Sequence, residues 1–230
     1  MLNKLFDHII KIFTTIEHIN PVESAKINEN VYAVKTETVN FFIYRKDDNY
    51  ICFDAGFGKN LIKNQLRGLS INPDKITDLF LTHSDIDHTS GIDLFKNARI
   101  HIGSAEEPMI TRQKARMFGF IYNPKIKRPY NLLNDNDIVK VGSIEIKAIS
   151  TPGHTPGSMS YLVNKSILFV GDTFKLIGNK VYPIRSYMNM NTEQQKRSIR
   201  KLAHIDNVRM AFTAHRGYTK DFSKAISDWR

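Results

Sequence analysis

The sequence predicts a single α/β domain built from short strands and amphipathic helices. Three observations support this prediction. Short apolar runs rich in β-branched and aromatic residues recur along the chain, helical periodicity separates them, and no linker or repeat divides the 230 residues. A chain of this length with 41% hydrophobic residues is able to bury a sizeable core. Because no apolar stretch approaches the ~18 residues of a membrane-spanning helix, we expect no membrane insertion.

The predicted elements follow one another from residue 31 onward. Strands are expected at 31–34, 39–44, 50–53, 78–82, 99–102, 158–163, 167–170 and 208–213, with a further block of strands at 138–150. Helices are expected at 60–69, around 92–95, at 192–204 and at 219–229. Strands and helices in both halves of the chain are typical of a layered α/β domain.

The N-terminal segment, residues 1–28, is predicted to be a helical extension of that domain. Apolar residues recur near helical spacing between Met1 and Asn20, and charged residues interrupt them. An amphipathic helix packed on the core is the preferred interpretation, and a membrane-surface helix is the alternative. The pattern does not resemble a signal peptide, and the single cysteine, Cys52, excludes an internal disulfide. We therefore expect a cytoplasmic protein.

The strongest chemical signal is the segment His83-Ser84-Asp85-Ile86-Asp87-His88, which follows a predicted buried strand. Spacing of two on an extended chain places side chains on one face, so His83, Asp85 and Asp87 are able to converge. His88 joins them if the chain turns at 89–91. Four imidazole and carboxylate donors within six residues are the pattern that a divalent metal requires.

Three later segments carry single candidate residues at the ends of predicted strands. His154 lies in the Pro- and Gly-rich loop 151–157, Asp172 follows the strand at 167–170, and His215 follows the strand at 208–213. Each residue alone has an ordinary explanation as a turn, a helix cap or a buried polar group. Together with the segment 83–88, they predict one metal site assembled from four strand ends.

The order and spacing of these segments resemble the metallo-β-lactamase-fold superfamily, over the chain from about Val31 to His215. The similarity includes the turn Phe53-Asp54-Ala55-Gly56 before the first helix. The resemblance implies a four-layer αββα sandwich with the active site at one edge of its two sheets. It also implies a hydrolase that uses a metal-bound hydroxide on an ester, lactone, thioester, amide or phosphodiester bond.

The ligands of two divalent metal ions are likewise implied by the resemblance. The first ion is assigned to His83, Asp85 and His154. The second ion is assigned to Asp87, His88 and His215, with Asp172 bridging both. Zinc is the first choice of metal, with iron or manganese as alternatives, and Asp87 is the expected catalytic residue that orients the hydroxide. Thr82, Ser84 and Asp54 are expected to hold the ligands in place.

Position 85 departs from the common family pattern, which has a histidine there. The carboxylate of Asp85 lowers the residual positive charge of a two-metal cluster and shifts its preference toward harder ions such as iron or manganese. A single bound metal is also compatible with this change. Because of Asp85, the sequence alone does not decide which metal binds or whether one or two ions are present.

The predicted substrate is a small anionic molecule. The chain carries a net charge of +10, and the segment 112–128 contains basic residues but no acidic one. In relatives, this part of the chain often covers the active site. Lys175, Arg185 and Tyr187 follow the bridging Asp172 and are the expected substrate-binding residues. A solvent-exposed basic face is the alternative explanation of the segment 112–128.

Two other classes of function remain open at this point. A non-hydrolytic iron enzyme of the same fold, with dioxygenase-like or diiron oxygen chemistry, would suit the carboxylate-rich site. A nucleic-acid-binding protein or nuclease would suit the net charge, although seven intact ligand positions argue against a scaffold without metal chemistry. The sequence predicts no membrane partner and does not indicate an oligomeric state.

Overall fold

The computed structural model describes residues 19–230. Its strands are β1 Ala25–Lys26, β2 Val31–Lys35, β3 Asn40–Lys46, β4 Asn49–Phe53, β5 Ile76–Phe80, β6 Arg99–Gly103, β7 Tyr130–Leu133, β8 Ile138–Val141, β9 Ile144–Ser150, β10 Met159–Val163, β11 Ile167–Gly171, β12 Lys175–Ile177, β13 Lys180–Tyr182, β14 Met210–Thr213 and β15 Tyr218–Thr219. Its α-helices are α1 Lys59–Gly68, α2 Ile86–Thr89, α3 Glu107–Ile110, α4 Thr192–Ala203 and α5 Phe222–Ala225. Single 3₁₀ turns cover Pro73–Lys75, Ile92–Leu94, Ser104–Glu106, Ser186–Met188 and Ser227–Trp229.

Most strands belong to two large sheets. The first sheet has the order β1-β2-β3-β4-β5-β6-β7, antiparallel from β1 to β4 and parallel from β4 to β7. The second has the order β15-β14-β11-β10-β9-β8, in which only β11 and β14 pair in parallel. Strands β12 and β13 form a separate hairpin. Because β9, β11 and β14 run in one direction, their carboxyl ends meet at one edge.

The two sheets pack face to face, and helices cover their outer faces. Between the sheets lies an aromatic core in which the rings of Phe53 and Phe169 stack at 3.9 Å. Ile62 of α1 is buried against the outer face of the first sheet, and Ile199 and Leu202 of α4 against that of the second. Burial of each such side chain contributes roughly 1.5–3 kcal/mol of transfer free energy. These layers confirm the predicted αββα fold.

Two predicted helices differ from the structure. The helix predicted around 92–95 is a 3₁₀ turn at Ile92–Leu94, because the Arg128 guanidinium binds the carbonyl oxygens of Ile92 and Phe95 that a longer helix would use. The helix predicted at 219–229 is wrong at its start, since Thr219 pairs with Ala211 in the second sheet. Helix α5 begins only after Asp221, whose side chain accepts a hydrogen bond from the Lys224 amide.

The N-terminal prediction is tested only from residue 19 onward. Residues 19–28 are not helical, which corrects that part of the predicted extension. Ala25 pairs with Ala33 in β2, and the Asn40 side chain bonds both the amide and the carbonyl of Val22. The amphipathic pattern at 1–18 lies outside the described residues. No helix between residues 19 and 230 is long and apolar enough to cross a bilayer.

Candidate metal centre

The carboxyl ends of four strands bring the candidate ligands together. Three overlapping groups have ligand atoms that all lie within 4.8 Å of one another. These groups are His83, Asp85 and His154; His83, His88 and Asp172; and Asp87, His88 and His215. The structure therefore gathers all seven predicted residues at one edge of the sandwich.

Three buried atoms of this cluster have no hydrogen-bond partner among the described residues. They are His83 Nε2, His88 Nε2 and Asp172 Oδ1. An unsatisfied buried polar atom costs roughly 1–3 kcal/mol, so such atoms are rare in folded proteins unless a ligand uses them. Imidazole nitrogens and carboxylate oxygens in this number are the donors that a divalent metal prefers. The residues present therefore fit a metal ion.

Asp54 and Thr82 orient the first two histidines. The Asp54 backbone has φ 63°, a conformation that few non-glycine residues adopt, and its carboxylate lies 2.8 Å from His88 Nδ1. Thr82 donates from its amide and its hydroxyl to Asp54, and the hydroxyl lies 3.0 Å from His83 Nδ1. Because Nδ1 of both rings is held by a partner, Nε2 of both rings faces the cluster.

Glu106, which the sequence analysis did not single out, ties the first segment to the loop 151–157. Its fully buried carboxylate accepts hydrogen bonds from the Ser84 amide and hydroxyl at 2.9 and 2.6 Å. It also accepts from the Thr155 hydroxyl at 2.7 Å and the Gly157 amide at 3.0 Å. Its only signal in the sequence is its place just after β6. Glu106 thus connects the residue before Asp85 to the loop that carries His154 and fixes their relative positions.

Asp172 lies at the centre of the cluster. Its Oδ2 is 3.1 Å from His215 Nε2, 3.4 Å from His154 Nε2 and 3.8 Å from His88 Nε2. The second ring nitrogen of His215 lies 2.8 Å from the Thr38 carbonyl oxygen, which fixes the ring. A carboxylate shared by three imidazoles suits the bridging position that the resemblance implies for Asp172.

The electrostatic balance of the cluster favours cations. Burial lowers the pKa of His88, but Asp54, Asp87 and Asp172 raise that pKa to about 10. Burial also lowers the pKa of His215, and Asp172 raises it to about 9. Burial raises the pKa of Asp172, yet His215 and His88 hold it well below its usual range. A metal ion must therefore replace protons on these histidines, as metal ligands require.

Arg116, from the basic segment 112–128, enters the cluster beside Asp85. Its Nε donates to both oxygens of Asp85 at 2.8 and 2.9 Å. Its Nη2 lies 3.0 Å from His154 Nε2 and donates to the Met188 carbonyl oxygen at 2.9 Å. Asn123 donates to Asp85 Oδ1 at 2.9 Å. Neither Arg116 nor Asn123 was singled out from the sequence, since nothing there separates Arg116 from its basic neighbours.

Other arginines of the basic segment have structural contacts. Arg128 donates to backbone carbonyls of the turn at 92–98, and Arg112 donates to the Asn123 carbonyl oxygen. Arg116 itself pairs with a carboxylate of the protein. The expectation that this segment presents cations to an anionic substrate is thus not met at these three arginines, because protein oxygen atoms already bind them.

A cavity of about 260 Å³ opens over the cluster. Its wall includes the carboxylates Asp87 and Asp172 and the predicted substrate-binding residue Lys175. Arg185 and Tyr187 do not line it in the part of the chain that the structure describes. Arg216, which the sequence analysis overlooked beside the more conspicuous His215, does line it. The remaining wall is largely apolar, with contributions from Ile19, Phe57, Ile86, Ile184 and Met188.

The chain is similar to known metal-site proteins in both sequence and fold. The family model of the metallo-beta-lactamase superfamily matches residues 34–215. The "Probable metallo-hydrolase" of Methanocaldococcus jannaschii is 29% identical over 69% of this chain and 66% of its own length. A hydroxyacylglutathione hydrolase of Buchnera aphidicola is 25% identical over 71% of this chain and 60% of its own length.

A solved structure shows the same fold. A Cronobacter sakazakii metallo-beta-lactamase with a HARLDQ motif superposes with a TM-score of 0.68 at 24% identity, over 86% of this chain and 79% of that one. The chain spans less than two thirds of the length of the two sequence relatives above. The family match covers most of the chain and all seven clustered residues. The chain belongs to the metallo-beta-lactamase superfamily.

Proposed function

We propose that the chain is a metal-dependent hydrolase that acts on an ester, lactone, thioester, amide or phosphodiester bond of a small anionic molecule. The observation that carries this proposal is the convergence of His83 Nε2, His88 Nε2 and Asp172 Oδ1, three buried atoms without a partner among the described residues. A divalent ion held in this cluster would supply a Lewis acid and lower the pKa of a bound water.

Asp87 and Asp54 have separate roles at the cluster. Asp87 lies on the cavity wall, and its Oδ2 is 3.8 Å from His215 Nε2 and 3.9 Å from His88 Nε2. From this position its carboxylate is able to accept a hydrogen bond from a water molecule beside the cluster and to take its proton. Asp54 holds the His88 ring in one orientation, so the ligand atoms stay aligned during the reaction.

The cavity supports a substrate with an apolar body and a negative charge. Phe57, Ile86 and Ile184 offer apolar surface, while Lys175 and Arg216 bring positive charge to the same wall. One relative is named for hydroxyacylglutathione hydrolysis, which justifies including such a compound among the substrates tested. The cavity is small, which favours a small molecule over a nucleic acid.

Zinc is the first metal to test, followed by iron and manganese. We expect the purified protein, reconstituted with each ion, to bind metal and to hydrolyse at least one member of a panel of lactones, thioesters, β-lactams and phosphodiesters. Substitution His88→Ala should abolish most binding and activity. His101→Ala is the matched control, since His101 is a buried histidine that contacts Asp78 outside the cluster.

Two results would contradict the proposal. One is the absence of bound metal after reconstitution with all three ions. The other is oxygen consumption without hydrolysis in the iron-loaded protein, which would identify the non-hydrolytic iron enzyme instead. The cytoplasmic location stays a prediction.

A further inference from the structure

The position of Arg116 bears on how many metal ions the cluster holds. In the family pattern, the residues at positions 83, 85 and 154 bind the first ion. The guanidinium of Arg116 contacts two of these three residues, through Nε to Asp85 and through Nη2 to His154 Nε2. The third residue contributes His83 Nε2, which lies 3.5 Å from Asp85 Oδ2 and has no hydrogen bond to any residue between 19 and 230.

The contact with His154 uses the nitrogen that a metal would need. His154 Nδ1 lies 3.4 Å from the Asn189 side-chain oxygen, and Nε2 lies 3.0 Å from Arg116 Nη2 and 3.1 Å from Asp85 Oδ2. With its proton on Nδ1, directed at Asn189, the ring presents the Nε2 lone pair to Arg116. A guanidinium N–H and a metal ion therefore compete for one lone pair.

Arg116 is built into the site from several sides. Only 5% of its side chain is exposed, and its second Nη2 hydrogen is donated to the Met188 carbonyl oxygen. Asn123 donates to Asp85 and to the Ser84 hydroxyl, which fixes the carboxylate that Arg116 binds. A backbone hydrogen bond from the Arg116 amide to the Ile121 carbonyl anchors the loop that carries it. Burial of a guanidinium costs free energy unless the group is paired with an anion and hydrogen-bonded, as Nε and Nη2 of Arg116 are.

The charges of the cluster also favour one metal ion over two. Asp85, Asp87 and Asp172 bring three negative charges to the cluster. One divalent ion and one guanidinium bring three positive charges, whereas two divalent ions beside Arg116 would bring five. The arrangement with one ion neutralises the three carboxylates without any further anion.

We propose that the Arg116 guanidinium replaces the first metal ion, so that this chain binds a single divalent ion on the side of His88, His215, Asp87 and Asp172. Asp85 is then the partner of Arg116 and not a metal ligand. This inference rests on the proposed function, because it assumes that the cluster binds metal. It explains why the family histidine is an aspartate here: a carboxylate binds a guanidinium, and a second imidazole would not neutralise it.

The test is the number of zinc ions bound per chain, measured by elemental analysis and by calorimetric titration of the metal-free protein. Wild type, Arg116→Met and the control Lys114→Met are compared. Lys114 is an exposed cation of the same segment. We expect about one ion on the wild type and on Lys114→Met, and about two on Arg116→Met, because His83, Asp85 and His154 become accessible to a second ion.

A double variant covers the case in which Arg116→Met leaves Asp85 buried without a partner and fails to fold. Arg116→Met combined with Asp85→His removes that carboxylate and restores the family pattern, and we expect it to bind two ions. Two ions on the wild type, or one ion on both Arg116 variants, would overturn the inference and leave the hydrolase proposal intact. No zinc, iron or manganese on any of the proteins would overturn the proposed function itself.

Discussion

Two clusters of this molecule are each built from an aspartate, an arginine and a histidine, but they serve different purposes. Within β5, Asp78 accepts from Arg99 Nε and Nη2, each at 3.0 Å, and lies 2.9 Å from His101 Nε2. Beyond the carboxyl end of the same strand, Asp85 accepts from Arg116 Nε and lies 3.1 Å from His154 Nε2. The partners are chemically equal in the two places.

The two clusters differ in where the arginine comes from and how far it is buried. Asp78 stands opposite Arg99 in the pairing of β5 with β6, and 63% of the Arg99 side chain is exposed. Arg116 arrives from a loop 31 residues away in sequence and is 5% exposed. The Asp78–Arg99 pair is set by strand register and stabilises the sheet next to water. The Asp85–Arg116 pair is brought together by a distant loop and lies at the cavity wall. Two pairs of the same residue types therefore have different roles because they lie in different places.

Metal content and activity should differ most between variants of the Asp78 cluster and variants of the candidate metal centre, to which Asp85 and His154 belong. Asp172→Ala removes the carboxylate at the centre of the metal cluster, and we expect bound metal to fall and hydrolysis to drop roughly a thousand-fold. The estimate assumes a loss of about 4 kcal/mol of transition-state stabilisation. Asp78→Ala should leave the metal content unchanged. Elemental analysis and steady-state kinetics of both variants check this, and loss of metal from Asp78→Ala would break the comparison.

The free energy of unfolding, in contrast to metal content, should depend on the Asp78 cluster. Asp78→Ala removes hydrogen bonds to a charged partner within a buried strand, and we expect it to lower the free energy of unfolding by roughly 1–3 kcal/mol. Arg99 is able to turn its charged group into water, which limits the loss. Urea unfolding of the metal-free proteins measures it. An unchanged midpoint would show that strand pairing alone holds β5 against β6.

The two clusters also show what was predictable from the sequence. The seven clustered residues and their strand-end positions followed from spacing and from the family resemblance, because their segments follow recognisable strands. Arg116, Asn123 and Glu106 did not, since their contacts depend on how loops fold back across the edge of the sheets. A loop arginine looks the same in sequence whether it is bound to Asp85 or exposed to water.

The fold was more predictable than the ends of its elements. The periodicity of α1 and α4 and the β-branched runs of the sheets indicated a layered α/β domain, and the family resemblance supplied its four-layer arrangement. Failures came where tertiary contacts decide the local structure: Thr219 joins the second sheet, and Arg128 ends the turn at 92–95 by binding its carbonyl oxygens. Neither contact leaves a local signal in the sequence.

A smaller effect is expected from the cations at the cavity wall. Lys175→Met should raise the KM for an anionic substrate about tenfold, equivalent to about 1.4 kcal/mol of charge-assisted binding, and leave kcat nearly unchanged. Tyr187→Phe is the control, because Tyr187 does not line the cavity. A neutral analogue of the substrate should show no change in KM. A loss confined to kcat would instead indicate that Lys175 acts on the reacting bond.

The smallest effect concerns the pH dependence of stability at Asp78. Burial raises the pKa of this carboxyl, but hydrogen bonds from His101 and Arg99 hold it below its ordinary value of 3.8. In the unfolded chain Asp78 therefore takes up its proton at a higher pH than in the folded protein, so its contribution to stability is complete above pH 3.8 and is lost as the pH falls below that value. Urea unfolding of wild type and Asp78→Asn should give free energies that differ most near neutral pH and approach each other below pH 3.8. A difference that stays constant into that range would show that the Asp78 cluster stabilises β5 through packing and neutral hydrogen bonds alone. Asp78 would then differ from Asp85 in that its charge does not contribute to the interaction with its arginine.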